Sequence, residues 1–110
     1  MNSAGGGGNI ALGATTTTIN TLLQNTTTAA TVNNAGGTVR LGATGGVLLP
    51  AAAQGLTIGT APDSGTLTAG GADNTAGEVI LINNSANAVT VNSVVADNGS
   101  GSVSFTKAGS

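Results

Sequence analysis

The stretch LLQNTTTAATVN, residues 22–33, aligns without a gap with LINNSANAVTVN, residues 81–92. Leu, Asn, Ala, Thr, Val and Asn recur at matching positions, so the order of residues repeats as well as their composition. Each copy then passes through a glycine-containing turn into a short strand, Val39-Arg40-Leu41 or Val103-Ser104-Phe105. Repeats of this kind are typical of solenoid proteins, in which each coil packs only on its neighbours. The sequence therefore predicts a stack of similar coils.

Short β-favouring runs extend from this repeat in both directions. Several alternate an aliphatic residue with Thr or Ser, as Leu56-Thr57-Ile58 does, which indicates one buried and one solvated face. Clusters of Gly, Asn, Asp and Pro separate the runs and supply the backbone conformations that tight corners need. The predicted strands are Asn9 to Leu12, Thr17 to Leu23, Ala30 to Asn33, Thr38 to Leu41, Val47 to Leu49, Leu56 to Ile58, Thr66 to Thr68, Glu78 to Ile82, Ala88 to Val95 and Ser102 to Thr106.

These strands predict an all-β fold, a parallel β-helix (β-solenoid). We expect about five short coils of about 20 residues each over residues 9–110, after a flexible Gly-rich lead-in at residues 1–8. Aliphatic side chains should point inward and stack, while Thr and Asn should form ladders outside. The predicted core residues are Leu22, Val32, Val39, Leu41, Leu56, Ile58, Leu67, Ile80, Ile82, Val89, Val91, Val103 and Phe105.

The chain carries very little charge. Its 110 residues include two Lys or Arg, four Asp or Glu and no His, which gives a net charge of −2. Arg40 and Lys107 alone cannot neutralise a run of phosphates, and Phe105 is the only aromatic residue available to stack on a base. We therefore exclude nucleic acid as a partner. Low charge combined with many β-branched residues also favours an ordered chain over a disordered one.

No set of side chains has the composition of a catalytic or metal site. Three of the four carboxylates lie in Gly-rich or Asn-rich turns, where acidic residues commonly shape corners. Without His or Cys, the chain lacks the side chains that zinc and copper sites mainly use as ligands. The turns at residues 70–73 and 97–99 also lack the Gly-Gly-x-Gly-x-Asp pattern of calcium-binding repeats. The sequence predicts no catalytic, cofactor-binding or metal-binding residue, no cofactor and no enzymatic activity. The carboxylates are Asp63, Asp73, Glu78 and Asp97.

Two features of the sequence bear on the cellular location of the protein. No disulfide can form, which is compatible with an exported bacterial protein that does not depend on cross-links. Residues 1–8 have neither the basic nor the apolar region of a signal peptide. No stretch is long and apolar enough to span a membrane, so we expect no membrane insertion. The chain is then either a cut-out from a longer polypeptide, which we expect, or a mature piece with a new start Met.

Four segments of the second half share a further pattern: Ser64 to Ala72, Glu78 to Leu81, Val89 to Gly99 and Val103 to Ser110. Together they resemble the autotransporter-associated β-strand repeat, and a looser similarity extends back to Thr18. The resemblance implies a fragment of the passenger region of a large bacterial protein that is secreted or displayed on the outer surface. It also implies a right-handed parallel β-helix, and it implies no shared catalytic residues.

The predicted function is a structural or adhesive module that stacks end to end, with filaments as the extended form. Neither terminus shows the amphipathic helix or charged edge that caps natural solenoids, and low charge removes the repulsion that blocks edge pairing. The expected partners are other copies of the chain, neighbouring repeats of the parent chain, and a glycan or cell surface.

A second hypothesis is a binding module that uses an outer face of Thr and Asn to hold a glycan, a host receptor or ice. The threonines concerned occur in runs and singly, without the strict Thr-x-Thr spacing of regular arrays. Thr is also simply a good exposed strand residue. An enzyme is the third hypothesis, and it requires acids that converge on one face. The threonines are Thr15 to Thr18, Thr26 to Thr28, Thr57, Thr66, Thr68 and Thr90.

Overall fold

The protein is all-β over residues 9–110, the part of the chain that the computed structural model describes. The flexible lead-in predicted for residues 1–8 lies outside the described residues. No helix within residues 9–110 is long and apolar enough to cross a membrane. The strands in this range are Ile10–Ala11 (β1), Thr16–Ile19 (β2), Leu22–Leu23 (β3), Ala30–Asn33 (β4), Thr38–Leu41 (β5), Gly46–Leu49 (β6), Leu56–Ile58 (β7), Thr66–Thr68 (β8), Gly77–Asn83 (β9), Val89–Val91 (β10), Val94–Val95 (β11) and Val103–Gly109 (β12).

Three parallel sheets of four strands each form the faces of a solenoid. Sheet A has the order β1-β4-β7-β10, sheet B the order β2-β5-β8-β11, and sheet C the order β3-β6-β9-β12. Every strand pair within these sheets is parallel. One coil contributes one strand to each sheet, and the coils turn at an A–B, a B–C and a C–A corner. The predicted all-β parallel solenoid is confirmed.

The described residues form about four coils, where the sequence predicted about five. Val32 lies one coil beyond Ile10, Ile58 one coil beyond Val32, and Val91 one coil beyond Ile58. The separations are 22, 26 and 33 residues, longer than the assumed 20. The excess lies in the corners, such as the eight residues 69–76 that join β8 to β9.

The core consists of inward-facing aliphatic columns, one residue per coil. Parallel pairing keeps equivalent residues in register, so apolar side chains stack on apolar side chains along the solenoid axis. Burying one such side chain contributes about 1.5–3 kcal/mol to the stability of the fold. The aliphatic columns therefore take the place of the aromatic core that this chain lacks. Seven predicted core residues are buried: Leu22, Val32, Val39, Leu41, Leu56, Ile58 and Leu67. Three more are partly buried and pack against them: Val89, Val91 and Val103.

Three predicted core residues do not lie in the core. In β9, Val79 and Leu81 point inward and are buried, whereas Ile80 and Ile82 point outward. The prediction chose the wrong face because four consecutive apolar residues show no alternation, and a shift by one residue reverses every side chain. Phe105 occupies an inward position in β12 but is 47% exposed.

Two predicted strands each contain a corner. The run from Thr17 to Leu23 is divided into β2 and β3 by Asn20-Thr21. The run from Ala88 to Val95 is divided into β10 and β11 by Asn92-Ser93. Asn side chains bond readily to nearby backbone and so permit a sharp turn without Gly or Pro. These corners allow one coil to present three faces.

Candidate functional surfaces

Three of the four carboxylates lie at corners. Asp63 adopts a positive φ of 60° in the A–B corner. At the B–C corner, Asp73 forms an ion pair with Arg40 of sheet B. One coil further, the Oδ1 atom of Asp97 accepts a hydrogen bond at 2.8 Å from the backbone N–H of Val103. Each of these acids has a local bond or a turn conformation that accounts for its presence.

The fourth carboxylate, Glu78, lies on the outer face of sheet C. It accepts a hydrogen bond from the hydroxyl of Thr106 in the next coil. Within residues 9–110, no group of three or more His, Cys, Asp or Glu side chains is placed to hold a metal ion.

The sequence repeat corresponds to two equivalent corners that lie two coils apart. Leu22, Val47 and Leu81 form one inward column of sheet C. Val32 and Val91 likewise share a column of sheet A. The two aligned stretches therefore start and end in the same columns, which explains why their residue order matches.

Buried amides close these two corners in the same way. Gln24 and Asn83 each donate to the carbonyl oxygen four residues later, at 3.0 Å and 2.9 Å respectively. Each side-chain oxygen also accepts from the N–H two residues later, at 3.4 Å and 3.0 Å. Sequence analysis did not identify this role, although the alignment places the two amides opposite each other. Their hydrogen bonds satisfy buried backbone groups, so we assign them to folding and not to a site.

A polar contact inside the A–B corners joins coils that are not neighbours. The amide of Asn34 donates to the hydroxyl oxygen of Ser93 at 3.1 Å, 59 residues further along the chain. Ser93 in turn donates to the backbone oxygen of Ser64 at 2.9 Å. Gly59 leaves room for this contact, because a Cβ there would lie 2.7 Å from the Ser93 hydroxyl. The contact fixes the spacing of the coils from within.

One outer column of sheet A consists of threonine. Thr31, Thr57 and Thr90 lie in register on three successive coils, about 4.8 Å apart. Asn33 and Asn92 lie two residues after Thr31 and Thr90. The Oδ1 atom of Asn33 accepts a hydrogen bond at 2.9 Å from the backbone N–H of Ala35, and the amide of Asn92 donates to the backbone oxygen of Gly59 at 3.1 Å. This face therefore carries the Thr ladder expected from the sequence. It carries no Asn ladder, because Gly59 lies on the coil between Asn33 and Asn92.

Sheet B carries a second threonine column that is less regular. Thr16, Thr38 and Thr66 are in register on its outer face. In the neighbouring column Arg40 takes the place of a threonine, and its side chain pairs with Asp73. A bulky guanidinium thus interrupts the flat surface, so sheet A is the better candidate for a regular array.

The sequence identified only part of these columns. Thr31 and Thr38 were missed, although each lies in a predicted strand, Ala30 to Asn33 or Thr38 to Leu41. The run at residues 26–28 lies in the C–A corner between β3 and β4 and joins neither column. Which threonines share a column depends on pairing across 22 or more residues.

The outer face of sheet C is apolar over three coils. Leu23, Leu48 and Ile82 form one outer column, and Ile80 lies beside Ile82. Leu23 and Leu48 are 41% and 39% exposed. A groove of about 350 Å³ lies among them, and its lining includes Gly46. Ile80 and Ile82, which the sequence analysis had assigned to the core, point outward and extend this surface.

The last described coil leaves inward-facing side chains uncovered. Val95 and Phe105 continue inward columns and are 42% and 47% exposed. A groove of about 390 Å³ is lined in part by Phe105 and Leu81. Lys107 stacks on Leu81, so a positive charge occupies an inward position on this edge. Sequence analysis found no charged edge, and Lys107 corrects that interpretation.

The chain matches no protein-family model, no curated protein and no solved structure. Its function is therefore inferred from the sequence pattern and from the surfaces of residues 9–110.

Proposed function

We propose that this chain is a structural or adhesive β-solenoid module of a secreted or cell-surface bacterial protein, and that it stacks end to end. The observation that carries the proposal is the uncovered face of the last described coil, where Val95 and Phe105 are nearly half exposed. The backbone ladders and side-chain columns that join one coil to the next are equally able to join a coil of another copy or of a neighbouring repeat of a parent chain. Extended stacking of this kind produces filaments.

The proposed location rests on the sequence. Residues 64–110 are similar to the autotransporter-associated β-strand repeat, whose members are exported bacterial proteins. The absence of Cys agrees with a fold held by backbone ladders and aliphatic columns instead of cross-links. In this proposal the module is a stiff spacer without catalytic activity, and its partners are further copies or neighbouring repeats.

Two substitutions on β12 are expected to change end-to-end association in opposite directions. Phe105→Ser removes exposed apolar surface and should weaken association at least about tenfold, which corresponds to about 1.4 kcal/mol. Lys107→Leu continues the column of Leu81 and removes an inward charge that protects the edge, so association should strengthen. Sedimentation velocity over a concentration series measures both effects.

Ser104→Ala is the matched control, because Ser104 lies on β12 but faces outward. It should leave association unchanged. If all three variants and the unmodified chain sediment as monomers at every concentration, the end-to-end proposal fails.

A second candidate function is supported by the column formed by Thr31, Thr57 and Thr90. Its hydroxyl and methyl groups repeat along the axis with the coil spacing, which suits a regular ligand surface such as a glycan chain or ice. Thr57→Lys places a charge in the middle of this column and should abolish binding, whereas Ser104→Lys on sheet C should not. Glycan-array binding and inhibition of ice recrystallisation are the measurements. No response of the unmodified chain in either assay would eliminate this candidate.

A further inference from the structure

The B–C corner between β8 and β9 is held by a side chain of the next coil. This corner covers residues 69–76. The amide nitrogen of Asn98, between β11 and β12, donates to the carbonyl oxygen of Ala72 at 2.6 Å and to that of Thr75 at 2.9 Å. Asn98 is 4% exposed. One buried amide therefore joins two points of the corner to the following coil.

The backbone around Asn98 forms a tight turn that packs on the same corner. The N–H of Asn98 donates to the carbonyl oxygen of Gly101 at 2.9 Å, and the N–H of Gly101 donates back to that of Asn98 at 3.1 Å. Gly99 has a positive φ of 64°, which favours glycine. A Cβ on Gly101 would lie 2.4 Å from the carbonyl carbon of Thr75, so turn and corner are in backbone contact. Both the side chain and the backbone of Asn98 are therefore fixed in the fold.

Asn98-Gly99 is also the only Asn-Gly pair in the sequence. Asparagine is a labile residue, and a following glycine favours its deamidation because no Cβ shields the glycine nitrogen. In this reaction the Gly99 nitrogen attacks the Cγ atom of Asn98 and loses its proton, while the Cγ–Nδ2 bond breaks and Nδ2 leaves as ammonia. Water then opens the resulting cyclic succinimide at one of its two carbonyl groups. The product is aspartate or isoaspartate, and water is the only co-reactant.

The closed corner protects Asn98 from this reaction. Ring closure requires the side chain to fold back onto the Gly99 nitrogen, whereas its amide is bonded to the oxygens of Ala72 and Thr75. The ring can therefore form only after the turn and the corner separate. Local openings of this kind need less free energy than global unfolding.

The product of deamidation does not fit the closed corner. A carboxylate has no N–H to donate, so an aspartate at position 98 would point acceptor oxygens at the carbonyl oxygens of Ala72 and Thr75. Isoaspartate would also add a methylene group to the backbone of the turn. We propose that Asn98 is a covalent modification site that reacts when this B–C corner opens, and that its deamidation then keeps the corner open. This chemistry does not depend on the proposed function.

The rate of deamidation in the folded and the unfolded chain tests the protection. Samples of the unmodified chain with and without guanidinium chloride are kept in the same mildly alkaline buffer, and tandem mass spectrometry of tryptic peptides locates each exchange of amide NH for oxygen. Asn98 should react at least about tenfold more slowly in the folded chain. Asn84, which is exposed in the folded chain, is the internal reference for the effect of the denaturant. Equal rates at Asn98 in the two samples, relative to Asn84, would overturn the proposal.

The effect of the product is tested with Asn98→Asp. This variant should lower the midpoint of thermal unfolding by at least about 5 °C, because two buried carbonyl oxygens lose their donor. Asn84→Asp adds the same charge at an exposed position and is the matched control, with a shift of at most about 2 °C. Equal midpoints for the two variants would show that the corner does not depend on the Asn98 amide and would overturn the proposal. An Asn98→Asp chain that does not fold is the extreme of the expected loss, and the rate comparison on the unmodified chain then decides.

Discussion

Replacing Leu81 by serine is expected to lower the free energy of unfolding by about 4 kcal/mol. Leu81 is 4% exposed and stacks between Val47 and Lys107 in an inward column of sheet C. Truncating a buried leucine costs about 2–5 kcal/mol, and a buried hydroxyl without a partner adds about 1–3 kcal/mol. Typical domains have only about 5–15 kcal/mol of stability, so this loss is a large fraction of the total.

Ile80→Ser is the matched control for this substitution. Ile80 is the preceding residue of the same strand and points outward, so its replacement should cost about 1 kcal/mol. Urea unfolding followed by circular dichroism, at low protein concentration, compares the two variants. A larger loss for Ile80→Ser than for Leu81→Ser would show that β9 has the opposite register.

Gly45→Ala is expected to destabilise the protein by about 3 kcal/mol, the upper range for an overpacked site. A Cβ on Gly45 would overlap the carbonyl oxygen of Asn20 and lie 2.7 Å from the carbonyl carbon. These are backbone atoms of the neighbouring coil and cannot rotate away. The first two coils would have to separate at this B–C corner, where the N–H of Gly42 bonds to the same Asn20 oxygen at 3.4 Å.

Gly13→Ala provides the comparison for Gly45→Ala. The nearest atom to a Cβ on Gly13 is the hydroxyl oxygen of Thr15, at 3.9 Å, so this change should lie within about 0.5 kcal/mol of the unmodified chain. Thermal unfolding at matched concentrations measures both variants. Equal midpoints for the two variants would contradict the close approach of the coils at Gly45.

The sequence was sufficient for the fold class because the strand signals are local. Runs such as Leu56-Thr57-Ile58 alternate inward and outward residues, and the structure places a strand at each of the predicted runs. The gapless repeat aligns residues 22–33 with residues 81–92. The structure agrees with this alignment, because Leu22 and Leu81 lie in the same inward column of sheet C. Local alternation and one long-range match together specify parallel coils.

Register was not predictable where alternation is absent. Val79 to Ile82 are four consecutive apolar residues, so either pair satisfies an inward face. The position of this strand is decided by its neighbours, through pairs such as Val47 with Leu81. Those pairs are set by the lengths of the corners between them. The same dependence accounts for the difference between the expected count of about five coils and the observed count of about four.

The outer surfaces depend on the same long-range register. Thr31, Thr57 and Thr90 form a column only because coils of 26 and 33 residues align them. The apolar face of sheet C likewise extends to β9 because Ile80 and Ile82 point outward. Sequence alone therefore predicted ladders of Thr in general terms, but it could not say which threonines belong to them.

Negative-stain electron microscopy of the unmodified chain across a concentration series tests the central claim most directly. If coils stack end to end, the images should show rods of uniform width that lengthen with concentration. Each chain adds four rungs to such a rod, about 19 Å. Dispersed particles of single-chain size at every concentration would contradict the claim that this module assembles through its ends.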